Sequence, residues 1–187
     1  GIINTFTKKA KAKNFDALDE ITYAYENAVK DLSGEELADK EAELIANAIK
    51  LAESSKGNVA NRAYVFVADV EFQKKNYENA KANWLKAAEF GKDNYTGAIA
   101  YYNAAITCEE LGDNEGAVAN YKLAIENPNF SLKPKALFNM ARVQETLEKY
   151  ADAIATYTQL CDENPDDSYA QLAKSRIIAL QAGGKAE

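Results

Sequence analysis

The sequence predicts an all-α chain of antiparallel helix hairpins, and three observations carry that reading. Nine Gly and three Pro in 187 residues leave few turn makers, while plentiful Ala, Leu, Lys and Glu favour helix over sheet. Large and small apolar residues recur three or four positions apart, the spacing of one helical face. The third observation is that this two-helix pattern repeats along the chain.

The repeat is clearest in NYENAKANWLKAA (76–88), NEGAVANYKLAI (114–125) and YADAIATYTQLC (150–161). Each carries a small residue, an aromatic four positions on, and a small or aliphatic residue three further: Ala80/Trp84/Ala87, Ala117/Tyr121/Ala124 and Ala153/Tyr157/Leu160. A second set upstream recurs at the same offsets: Tyr64/Val67/Ala68, Tyr101/Ala104/Ala105 and Leu137/Met140/Ala141. Between the two sets sit KKNY (74–77), LGDN (111–114) and LEKY (147–150), short polar turns suited to joining antiparallel helices. Small residues at Ala68 and Ala80 would let the two helices of a hairpin approach closely, while Trp84 would fill the gap to the next hairpin.

This order of large residue, small residue, turn, Ala, aromatic and small residue resembles the tetratricopeptide repeat, a helix–turn–helix unit of about 34 residues. The resemblance covers residues 61–166 and includes Gly112 in the second copy and Pro165 in the third. It implies a right-handed superhelical solenoid of hairpins. The period here is longer than the family's, with the surplus in FGKDNYTG (90–97) and ENPNFSLK (126–133), which read as loops between hairpins. Glu71 and Cys108 stand where the family often has Tyr or Leu, with Phe72 one place along.

The flanks extend the pattern. Leu18, Ile21, Tyr25, Ala28 and Val29 are spaced as one helix, SGEE (33–36) offers a capping box of Ser33 with Glu36, and Leu37, Leu44, Ile45, Ala48 and Ile49 form a second helix. The expected organisation is an N-terminal segment over 1–14 and one domain over 15–183. That domain holds a divergent copy at 15–58, copies at 59–93, 94–130 and 131–166, and a capping helix at 167–181, with a tail at 182–187. In the capping helix Leu172, Ala173, Ile177 and Leu180 are expected to bury inward, with Ile178 on another face. That helix or the opening GIINTF could make a homo-oligomer contact.

A net charge of −7 and a pI near 4.9 argue against a nucleic-acid binder. The exception is TKKAKAK (7–13), whose lysines read as a solvated linker or fraying helix end. No apolar run approaches the roughly 20 residues of a membrane helix. The chain opens without an initiator Met, as a processed or trimmed form would, and the NPDDSYAQLAKSRI ending is similar to bacterial cell-envelope members of the family. A periplasmic or envelope location is therefore favoured, with the cytoplasm left open.

With no His in the chain, and with Cys108 and Cys161 in apolar helical patterns, neither metal, cofactor nor nucleophilic catalysis is expected. Both cysteines read as buried free thiols. Acidic pairs Glu109/Glu110 and Asp166/Asp167 read as solvated charge, and LGDNEG (111–116) as a turn rather than a phosphate loop.

A non-enzymatic interaction scaffold is the expected function. In the resembling family the first helix of each hairpin lines a concave groove, and the residues carried over form three rows: Arg62, Val65, Asp69 and Phe72; Ile99, Tyr102, Ile106 and Glu109; Lys135, Phe138, Arg142 and Glu145. Val65, Tyr102 and Phe138 would make an apolar ladder for a peptide or protein partner, with Lys135 or Arg142 meeting an acidic group. Lys135, Asn103 and Asn139 match parts of the family's clamp for a C-terminal carboxylate, but Val65 and Asp69 break that pattern. The alternatives are a homo-oligomer assembled through terminal helices and a pocket for a small apolar ligand.

Overall fold

In a computed structural model, which describes residues 2–92 and 94–185, the described residues form nine α-helices and no strand. The all-α helical-repeat architecture expected from the sequence is the one observed. The helices group into two compact units, Gly1–Gly91 and Lys92–Glu187.

The first unit holds α1 (Ile2–Asp31), α2 (Gly34–Ser54), α3 (Asn58–Gln73) and α4 (Tyr77–Gly91). Sequential neighbours pack together, and α1 also reaches α3. Ala68 and Ala80 are fully buried where α3 meets α4, and Trp84, Ala87 and Ala88 continue that buried face. Asn61, also buried, donates to the Ala87 carbonyl at 2.7 Å, tying the two helices through a satisfied polar group. In α1, Leu18 and Ala28 are buried, but Val29 is 48% exposed. Residues 7–13 are helical and their side chains lie in solvent. Gly1 and the side chains of Ile2, Ile3, Asn4 and Phe6, part of the opening offered above as a contact between copies, lie outside the described residues.

The capping box expected at α2 is not formed. Ser33 is the N-cap residue, but its side chain makes no cap hydrogen bond. Gly34, the first helical residue, sits at φ +62°, so Ser33 and Glu36 lack the regular relation that a box needs.

The second unit holds α5 (Tyr95–Glu110), α6 (Asn114–Ile125), α7 (Lys133–Thr146), α8 (Tyr150–Glu163) and α9 (Ser168–Ala182). Each packs on the next, and α7 also packs on α9. Asn94, Asp113 and Asp167 cap α5, α6 and α9 by accepting from the backbone N–H groups of Thr96, Gly116 and Tyr169. Pro134 opens α7, where a missing N–H costs nothing. The core runs through Tyr121, Leu137, Ala141, Tyr157 and Leu160, each fully buried. The loop between α6 and α7 folds inward, burying Phe130 against Tyr102, with ring centroids 5.8 Å apart.

The turn inside each of three hairpins has one geometry. Lys75, Gly112 and Glu148 all lie in the left-handed region, at φ 61°, 72° and 60°. The following amide closes each turn, Asn76 N to Glu71 O, Asp113 N to Cys108 O and Lys149 N to Gln144 O, at 2.8–2.9 Å. This is the six-to-one bond of a Schellman C-cap. Only the middle copy uses the residue type for which that backbone is free of strain.

One expectation for the capping helix is corrected. The buried stripe of α9 is Ala170, Ala173 and Leu180 with Ile177 partly covered, whereas Leu172 is 52% exposed. Leu172 lies roughly a third of a turn off that stripe, so it cannot face the core with the others.

Candidate functional site

The residues selected from the sequence divide between the two units. On α3, Arg62, Val65, Asp69 and Phe72 share one stripe. Arg62 bonds Asp19 of α1 at 3.4 Å and lies over the Phe15 ring at 5.5 Å, so its charge is engaged within the unit. Val65 is half-buried, and Phe72 packs edge-on against Tyr77 at 5.3 Å. Desolvation raises the carboxyl pKa of Asp69 although the residue retains exposed area.

On α5, Ile99 and Ile106 are half-buried, and Tyr102 is only 5% exposed. Its ring lies between Tyr121 at 5.7 Å and Phe130 at 5.8 Å, which makes it part of the core more than of an open ladder. Its hydroxyl accepts from Asn139 at 3.4 Å. Burial pushes that hydroxyl above the usual tyrosine range, and the neighbouring Lys135 ammonium pulls it part of the way back.

On α7, Lys135 is exposed and Phe138 is half-buried, its ring 5.5 Å from both Tyr157 and Tyr169. Arg142 forms an ion pair with Glu109 of α5, which also accepts from the Tyr121 hydroxyl at 2.6 Å. One repeat later the arrangement recurs. Glu145 of α7 accepts from Tyr157 at 2.7 Å and pairs with Arg176 of α9. Burial pushes the Glu145 carboxyl up, but hydrogen bonds from Arg176 and Tyr157, with the arginine charge, outweigh that and hold it below the usual range.

The second of these networks borders an open pocket of about 430 Å³ lined by Phe138, Arg142, Glu145, Thr146, Tyr157 and Arg176. Phe138 and Tyr157 supply aromatic surface and the two arginines and Glu145 supply charge. Sequence reasoning assigned Phe138 and Arg142 here but missed Arg176, which it placed in a capping helix. The available signal was that Arg176 stands in α9 where Arg142 stands in α7, each reaching back to a glutamate of the preceding hairpin.

Cys108 and Cys161 are free thiols, buried and half-buried respectively. Among the described residues no group of three or more His, Cys, Asp or Glu side chains is placed to hold a metal ion, and no helix is long and apolar enough to cross a membrane.

Comparison with known proteins follows the same lines. Residues 109–168 and 138–183 match the family model of the tetratricopeptide repeat. A curated protein of Treponema pallidum (strain Nichols), described as a TPR repeat-containing protein, is 34% identical over 178 residues, spanning 92% of this chain and 74% of the relative.

Proposed function

Because the chain belongs to the tetratricopeptide-repeat family, whose members generally mediate protein–protein interaction and typically act without catalysis, we propose that it is a non-enzymatic scaffold. Its partner is an extended or helical protein segment seated on the face formed by α5, α7 and α9. The observation that carries this is the Phe138 pocket, an aromatic floor edged by Arg142, Glu145 and Arg176. An apolar anchor of the partner would cover Phe138, and flanking polar groups would meet the charged edge. Lys135, exposed one turn before Phe138 on α7, adds a cation suited to an acidic neighbour of that anchor.

The same geometry reduces the roles of two selected residues. Tyr102 supports the face from below, and Arg142 reaches a partner with only those donors that Glu109 leaves open. Arg62, Val65, Asp69 and Phe72 form a second stripe on α3, and Ile99 and Ile106 lie along α5, as further contact positions in this reading.

The test is recovery of binding proteins on the immobilised chain, with Lys135→Glu and Phe138→Ala beside the parent and folding checked by circular dichroism. The reading expects both variants to lose the partners that the parent retains. Equal recovery by folded variants would remove this face as the docking surface.

A further inference from the structure

On the reading that the chain docks a protein segment, we infer that the α3 stripe takes an arginine side chain of that segment, its guanidinium paired with Asp69 and laid on the aromatic surface around it. Asp69 is exposed on α3, with Phe66 and Phe72 three positions to either side and Val65 four positions before it, all three half-buried. Residues three and four apart on a helix are surface neighbours, so the carboxylate stands among apolar side chains. Tyr25 of α1 meets Phe66 edge-on, with ring centroids 5.4 Å apart. Burial, then Glu41, then Asp69 raise the Tyr25 hydroxyl, so the Asp69 charge is felt at that ring.

What this carboxylate lacks is a cation. Among the described residues its side chain makes no hydrogen bond or ion pair. Arg62, on the same stripe, is held by Asp19 at 3.4 Å, and Lys74, at the C-cap of α3, is held by Glu41 at 2.7 Å. Folding thus takes water from a negative charge and supplies no partner, and desolvation raises the carboxyl above its ordinary range. An unpartnered charge so placed opposes folding, and a bound cation offsets that loss. Glu41 adds a second negative charge beside Tyr25, and Lys74 balances only one of the two, so the local field favours a cation and disfavours an acidic group. Arginine suits the place better than lysine. Its planar, weakly hydrated guanidinium donates along one edge to a carboxylate while its face covers aromatic carbon.

The probe is the blocked peptide acetyl-Ala-Leu-Arg-Ala-amide beside its citrulline counterpart, which keeps the shape and loses the charge. Each is titrated to about 20 mM into the isotope-labelled whole chain and followed by backbone amide chemical shifts. The arginine peptide should shift the amides of residues 62–72 with a millimolar dissociation constant, and the citrulline peptide should bind at least about threefold more weakly. Asp69→Asn alters an exposed position, so folding is retained, and it should weaken the arginine peptide by the same factor. Glu36→Gln removes an exposed charge on α2 and should change that binding by less than about 1.5-fold. Phe138→Ala should leave these shifts unchanged, so loss of this peptide and loss of partners at the Phe138 face are separate results. No shift within residues 62–72, equal binding of the citrulline peptide, or equal weakening by Glu36→Gln and Asp69→Asn would each overturn the arginine subsite and leave the Phe138 face to its own test.

Discussion

The Tyr121 hydroxyl donates to Glu109 Oε1 at 2.6 Å across the α5–α6 hairpin, and Tyr157 makes the same bond to Glu145 one repeat later. Both phenols are pushed above the usual tyrosine range, first by burial and then by the carboxylate that accepts the bond. Tyr121→Phe and Tyr157→Phe each remove the donor and leave a partly covered carboxylate short of a partner. Each should lower the unfolding free energy by about 1–3 kcal/mol in a urea titration.

The first copy shows what happens without that pair. Phe72 stands in the place of Glu109 and Trp84 in the place of Tyr121, and the buried Trp84 Nε1 has no hydrogen-bond partner among the described residues. Trp84→Phe gives up volume but also removes an unsatisfied N–H, so it should cost less than about 1.5 kcal/mol. Trp84→Ala should cost about 3–5 kcal/mol. Thermal unfolding followed by circular dichroism separates the two.

The three equivalent turn positions predict opposite signs. Gly112→Ala forces a side chain into φ 72° and should destabilise by about 1 kcal/mol, although open space surrounds the site. Lys75→Gly and Glu148→Gly relieve that strain at φ 61° and 60° and should be neutral to stabilising by up to about 1 kcal/mol, since glycine's greater freedom in the unfolded chain offsets part of the relief. Chemical denaturation of the three variants tests the set.

Acid sensitivity follows from Glu145 and Glu163. Burial raises the first, but its bonds from Arg176 and Tyr157 prevail, and a hydrogen bond from Lys133 lowers the second. Each therefore stabilises fully above the ordinary glutamate value of about 4.5 and loses that contribution as pH falls through its lowered folded value. Asp69 has the opposite sign. Its raised value means that ionisation opposes folding as pH rises, so Asp69→Asn should raise the melting temperature at pH 7, while Glu145→Gln should flatten the decline in acid. Melting temperatures from pH 3 to 7 check both.

The helices and hairpins were legible because they depend on spacing. Ala80, Trp84 and Ala87 mark a buried stripe wherever they occur, and their copies at Ala117, Tyr121 and Ala124 are buried as well. The candidate site was less legible because it depends on contacts distant in sequence. Tyr102 occupies a groove position by register, but Phe130, in a stretch that reads as a surplus loop, folds over it. Arg142 reads as a cation for a partner, but Glu109 engages it from the preceding hairpin. Lys75 and Glu148 give no hint of a left-handed backbone, because the bond that imposes it belongs to the turn and not to the side chain.

The inward fold of the α6–α7 connection makes that linker a strut. Phe130 anchors it to the hairpin before, while Asn127 bonds the Asn94 carbonyl at 3.0 Å. Surface connections ordinarily tolerate added residues, but lengthening this one near Phe130 would withdraw a wedge from between two hairpins. Insertions at this joint would be felt as misalignment, and a protease would find little slack to cut.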